Sequence, residues 1–169
     1  MSELGTHRFG PIGGIPNSDL PLIIAPGAIA AGKAQSATVE RLFERNGWQG
    51  TWTYTVFDYW HFHLEGHEVL ACVGGRARIG FGGEEKEGGL VVEMTPGDTV
   101  IVPAGVGHRR LEATGGFQVV GAYPPGQNGA ISREGAIAIE VARRRIAALA
   151  LPGSDPVGEE RTGLLAAWN

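Results

Sequence analysis

The chain is short of several things, and each shortage narrows what it can be. It has one cysteine, Cys72, so no disulfide forms within it and a reducing compartment is expected. The longest basic run is the three arginines at 143–145, and the net charge is −4. That is no electrostatic footprint for nucleic acid, which is therefore not expected as a partner; the arginine run reads as a solvated helix face. No apolar run in the sequence reaches the roughly 18 residues of a transmembrane helix. The opening residues MSELGTHRFG carry no apolar signal core. No membrane partner and a cytoplasmic location are the expectation.

Glycine, by contrast, is abundant, with 28 residues beside 10 prolines. So many turn formers favour many short strands over a helical bundle. A length of 169 residues with 43% apolar and 19% charged side chains suits one soluble core. No internal repeat or linker interrupts it. The expected organisation is a single domain over 1–169, with core strands over about 51–123 and helical flanks over about 37–46 and 134–149.

Val39, Leu42 and Phe43 recur at helical spacing, and Asn46-Gly47 supplies a left-handed stop. Ile139, Ala142, Ile146 and Leu149 recur in the same way before Pro152. Between these flanks, residues 51–63 are rich in Thr, Tyr, Trp, Val and Phe and predict one long strand. Alternation puts Thr55, Phe57, Tyr59, His61 and His63 on one side, and Trp52, Tyr54, Trp60 and Phe62 on the other. Further strands are predicted at 68–73, 76–81, 90–95, 98–103 and 117–122, with turns at Gly74-Gly75 and Gly115-Gly116 among others. Residues 1–20 read as irregular, 20–24 as an edge strand, and the late LLAAW as a segment that docks back on the body. The result is an antiparallel β-sandwich or barrel.

The chemistry is concentrated in HFHLEGHE at 61–68, which holds three of the chain's 5 histidines and two acids. His61 and His63 point to one face, as two ligands of one metal require. Glu68 opens the next strand, and GDTVIVPAGVGH ends far downstream at His108. Two facing hairpins of a sandwich bring these residues together. Imidazole nitrogen with carboxylate oxygen suits one divalent ion, Fe, Mn, Ni, Zn or Cu, with positions left for a small-molecule ligand or substrate.

These stretches resemble the two cupin motifs: His61-x-His63-x4-Glu68-x6-Gly75, then Gly97-x5-Pro103-x-Gly105-x2-His108. IPNSDLPLII, HEVL, VVGAYPPGQ and DPVGE…LLAAW are further similar to a YjlB-like branch of small bacterial cupins, from about Gly10 to the end. The resemblance implies an all-β, single-domain cupin jelly roll with short N- and C-terminal helices, a metal held by His61, His63, Glu68 and His108, and a homodimer. It implies no particular substrate. Thr55 stands where the first motif expects glycine, and Glu112 where an asparagine often follows the second.

A metal-free sandwich burying the same four groups is the plainer alternative, at a cost of several kcal/mol. Counted from His63, His67 takes the fourth ligand place; counted back from Gly75, Glu68 takes it, and strand alternation favours Glu68. Phe57, Tyr59, His67, Arg110 and Glu112 are further pocket candidates, each with a packing or surface role as its rival. The expected function is a metal-dependent enzyme acting on a small organic molecule, with dioxygenase-type oxidation ahead of isomerase or lyase chemistry. The rival class is a non-catalytic ligand or metal-binding sensor. The aromatic side of 51–63 is large enough to require a cover, from the termini or from a second copy.

Overall fold

The structure, a computed structural model, describes residues 3–169. Nine strands and four short helices follow in chain order. The strands are β1 (Gly5–His7), β2 (Leu22–Ala25), β3 (Gln49–Tyr54), β4 (His61–His63), β5 (Glu68–Phe81), β6 (Leu90–Met94), β7 (Thr99–Val102), β8 (His108–Tyr123) and β9 (Ile131–Arg133). The helices are α1 (Ser36–Arg45), α2 (Ile139–Ala147), α3 (Glu159–Thr162) and α4 (Leu164–Ala167). No helix among the described residues is long and apolar enough to cross a membrane.

All pairings are antiparallel, and two long strands organise them. The first part of β5 lies between β7 and the end of β8; its second part lies between β6 and the start of β8. β8 in turn carries β3 at one end and meets β4 at the other, with His61 opposite His108. Because both long strands change partners along their length, the sheet curls into a jelly roll. The fold is all-β with short helical flanks.

Gly74-Gly75 and Gly115-Gly116, expected as turns, do not end the strands; they lie inside the β5–β8 ladder, where its register shifts. The reason is local. Gly75, Gly115 and Gly116 hold φ of +61°, +68° and +70°, which glycine adopts without strain. A Cβ at Gly75 would stand 2.4 Å from the Thr114 carbonyl oxygen, so the backbones cross too closely for any side chain. The separate segments 68–73 and 76–81 are thus one strand, and 117–122 is the end of another.

The segment 51–63 also differs from expectation. β3 ends at Tyr54 and β4 begins at His61, because the two pair with opposite ends of β8. Residues 55–60 cross between those ends outside any strand. The break undoes the expected aromatic face. Trp60 and Phe62 pack with Ile15, Ala142 and Ile146 beneath α2, while Trp52 turns toward the interior. The surface that argued for a homodimer is therefore largely absorbed within the chain.

Alternation works along β5. Leu70 and Cys72 enter the core inside the curl with Phe81, Met94 and Val119. Val69 and Ala71 face the other way, against Phe43, Trp48, Leu164 and Trp168 of the flanks. α1 stops where Gly47 takes φ +87°, the left-handed closure that Asn-Gly provides. The LLAAW segment docks as expected, with the Trp168 indole donating to the Pro21 carbonyl at 2.9 Å. β2, expected at an edge, lies between β1 and β7 because residues 5–7 add a further strand.

Candidate metal centre

Three imidazoles meet where β4 faces the start of β8. His61, His63 and His108 are all buried, and their candidate ligand atoms lie within 4.8 Å of one another. The ring centroids of His61 and His108 are 4.2 Å apart, and those of His63 and His108 are 5.3 Å apart.

The outer nitrogen of each ring is tied to the backbone. His61 Nδ1–H donates to the Tyr59 carbonyl at 3.0 Å, His63 Nδ1–H to the Ala130 carbonyl at 3.1 Å, and His108 Nδ1–H to the Val106 carbonyl at 3.0 Å. A carbonyl can only accept, so each bond puts a ring proton on Nδ1 and leaves Nε2 to face the cluster, with a free lone pair whenever the ring is neutral. Metal-binding histidines use such an outer bond to fix tautomer and orientation.

Glu68 stands at the edge of this triad. Its Oε1 is 3.2 Å from His63 Nε2 and 3.4 Å from His108 Nε2. Its Oε2 accepts the Tyr123 hydroxyl at 2.9 Å. Tyr123 in turn accepts the Trp52 indole N–H at 2.8 Å. Lone pairs on Nε2 and Oε1 so close together need a cation or a proton between them.

The electrostatics follow from burial and these neighbours. Burial lowers the His61 pKa to about 3, with the His108 and His63 charges acting in the same direction. Burial also opposes charge on His63, but the Glu68 carboxylate outweighs it and holds that imidazole above its ordinary value. Burial would raise Glu68; the charge on His63 and hydrogen bonds from His108 and His63 overcome this and hold the carboxyl well below its usual range. Burial and the adjacent Glu68 charge raise the Tyr123 hydroxyl. Without a metal the centre thus sets an ionised carboxylate against a proton on His63; a divalent cation in that proton's place would meet a carboxylate oxygen and imidazole nitrogens, a donor set that suits it.

A cavity of about 320 Å³ opens onto this cluster, with Trp52, Phe57, Leu70, Tyr123 and Ile131 among its lining residues. Of the sequence-predicted pocket residues, Phe57 lines it and four others do not. Tyr59 stacks on Phe57 and lies under the Arg133 guanidinium at 3.9 Å. Arg110 donates to the Thr55 hydroxyl and the Val56 carbonyl. Glu112 is exposed beside Arg78. The register shift between Arg78 and Ile79 skips Leu111, which disturbs the alternation on which inward placement of Arg110 and Glu112 rested.

His67 also points away. Its Nδ1 accepts the Ala104 backbone N–H at 2.9 Å, and its ring packs on Trp168. Its protonated Nε2 has no partner among the described residues. Tyr123 and Trp52 were missed. Tyr123 continues the alternation of Val119 and Gly121, but it lies one residue past the predicted strand end. Trp52 comes to the cavity because residues 55–60, outside any strand, break the alternation counted from Trp52 to His61.

No protein-family model matches the chain. A curated protein does: YjlB of Bacillus subtilis (strain 168) is 37% identical over 167 residues, covering 98% of this chain and 97% of its own. The chain belongs to the YjlB-like cupins. YjlB is itself described as uncharacterized, so membership assigns no reaction. Among solved structures, acireductone dioxygenase from Bacillus anthracis, with a cadmium ion in its active centre, is 20% identical, with a TM-score of 0.39 over 52% of this chain and 57% of that one. The dTDP-4-dehydrorhamnose 3,5-epimerase from Elizabethkingia anophelis NUHP1 is 13% identical, with a TM-score of 0.39 over 76% and 77%. At such scores nothing about activity is transferred to this YjlB-like chain.

Proposed function

We propose that the chain acts as one domain and is a metal-dependent enzyme acting on a small organic molecule, with dioxygenase-type oxidation as the leading reaction class. His61, His63 and His108 would hold one divalent ion through Nε2, with Glu68 as the fourth ligand. The observation that carries this reading is the shared Nδ1-to-carbonyl bonding of all three rings. A metal-free core has no need to tether three imidazoles so that their candidate ligand atoms converge within 4.8 Å.

When bound, the ion would supply Lewis-acid or dioxygen-activating chemistry. The chain's residues do the rest. The backbone carbonyls of Tyr59, Ala130 and Val106 fix the tautomers. Tyr123 orients Glu68 through its free oxygen. Trp52, Phe57 and Leu70 restrict water at the centre. A single buried thiol, Cys72, is in keeping with the reducing cytoplasm. A homodimer belongs to the same reading; Trp60 and Phe62 are buried within one chain, and the exposed Tyr54 is what remains of the aromatic surface for a second copy to cover.

The second reading, a non-catalytic metal or ligand binder, draws support from one feature. The Tyr123 hydroxyl nearest the centre is already engaged by Glu68 and Trp52, leaving no obvious free acid or base there. Elemental analysis of protein purified without added metal, followed by oxygen-uptake and substrate screening of the reconstituted form, separates the two. Turnover with any oxygen-consuming substrate supports the enzyme. Stoichiometric metal with reversible ligand binding and no turnover supports the binder.

A further inference from the structure

The cavity walls say more about the ligand than the metal-binding groups do. Among the described residues lining it there is no lysine or arginine, and the one carboxylate, Glu68, is directed at His63, His108 and Tyr123. The nearby cations are not among the lining residues. Arg110 is held by Thr55 and Val56, and Arg133 lies over the outer Tyr59 ring. An anionic group away from the centre would therefore lose its hydration with no partner, a cost of several kcal/mol or more. Phosphorylated sugars and dicarboxylic acids are poorly served.

The walls are instead largely apolar. Trp52, Tyr54 and Phe57 contribute aromatic rings to the lining, with Leu70 and Ile131 among the aliphatic side chains beside them. Phe57 is itself fixed by stacking on Tyr59 at 5.3 Å and by an edge contact to His61 at 5.7 Å, so its position is set before a ligand arrives. A volume of about 320 Å³ sits at the small end of ligand cavities. Rings favour offset or edge contacts with other rings beyond what buried area alone provides.

Resting on the metal-centre reading above, we infer that the ligand of this site is an uncharged aromatic molecule of one or two rings whose hydroxyl or carbonyl oxygen reaches the histidine cluster. The rings of Trp52 and Phe57 select the flat body. The absence of cationic side chains rejects anionic competitors, and the single polar end admits the oxygen.

Calorimetric titration of the zinc-reconstituted protein tests this with matched probes: 2-naphthol, decahydro-2-naphthol, malonate and glucose 1-phosphate. Zinc cannot change oxidation state, so binding is read without turnover. The expected order places 2-naphthol roughly five- to tenfold tighter than its saturated counterpart, with both anions weaker still. Phe57→Leu, which keeps an apolar wall but removes a ring, should reduce that preference severalfold while zinc content stays unchanged. Ile131→Lys should improve malonate binding. Equal binding of the two alcohols, tighter binding of either anion, or no 2-naphthol binding at millimolar concentration overturns the inference. If the wild-type protein holds no zinc, the metal reading fails. The ring preference is then still measurable on the metal-free cavity, so the two failures are distinguishable.

Discussion

The Tyr123 hydroxyl donates to Glu68 Oε2 at 2.9 Å, while Glu68 Oε1 faces the Nε2 atoms of His63 and His108 at 3.2 and 3.4 Å. One carboxylate therefore has a held oxygen and an offered one. Removing the hydroxyl in Tyr123→Phe frees Glu68 to rotate and leaves the Trp52 indole N–H without its acceptor. Loss of such an outer partner lowers metal affinity by roughly 10- to 100-fold, with about 1–3 kcal/mol of stability lost at the orphaned groups. Competition with a metal-sensitive dye and chemical denaturation measure the two effects separately. An unchanged affinity would show that Glu68 is positioned without Tyr123.

Gly129 gives that hydroxyl its room. A Cβ there would stand 2.0 Å from the Tyr123 oxygen, so Gly129→Ala should displace the ring and weaken metal binding. Adding Tyr123→Phe to Gly129→Ala removes the nearest clashing atom and leaves the ring Cζ, at 2.5 Å from the new Cβ, as the residual conflict. The double variant should then be more stable than the sum of the single changes implies, a non-additivity expected of touching residues. Strict additivity of the denaturation free energies would rule out the steric account.

His67 and Glu68 are adjacent in sequence and face opposite ways, one toward Ala104 and Trp168, the other toward the histidine cluster. Glu68→Ala should weaken metal binding sharply, and His67→Ala should leave it nearly unchanged. Affinities in the reverse order would give the fourth ligand place to His67.

Much of this was legible in the sequence. The spacing of His61, His63, Glu68 and His108 located the cluster, and the two helical flanks followed from apolar periodicity with an Asn-Gly stop. What the sequence hid was where strands bend. Paired glycines at 74–75 and 115–116 mark turns in most contexts, yet here they allow two long strands to cross. A β-rich run such as 51–63 gives no local sign that its two ends pair with distant parts of one strand. Alternation counted through that break put Trp52 outside and left Tyr123 unnoticed. Counted across the β8 register shift, it drew Arg110 and Glu112 inward.

Acid should destabilise the metal-free protein through its buried neutral histidines. Burial lowers His67 from 6.5 to about 4. The unfolded chain takes up a proton as pH falls through the upper value, and the folded chain does so only near the lower one. Stability is therefore lost between those two values, by on the order of 3 kcal/mol for this group, and the loss levels off below about 4. His61, lowered to about 3 by burial and the His108 charge, adds to the same slope. Thermal midpoints of metal-free protein between neutral pH and mild acid should fall less steeply in His67→Gln than in wild type. Parallel curves would contradict the assigned environment.

The central claim is that the three backbone-tethered histidines form a metal site. The most direct measurement is the metal content per chain of wild type and His108→Ala, both purified without added metal and then incubated with a divalent ion, with circular dichroism recorded alongside. The expected result is close to one ion per wild-type chain and a small fraction of that in His108→Ala, with the same β spectrum, because the core is built from strand faces rather than from the ion. A wild type that takes up no ion, or a variant that holds as much as wild type, contradicts the claim.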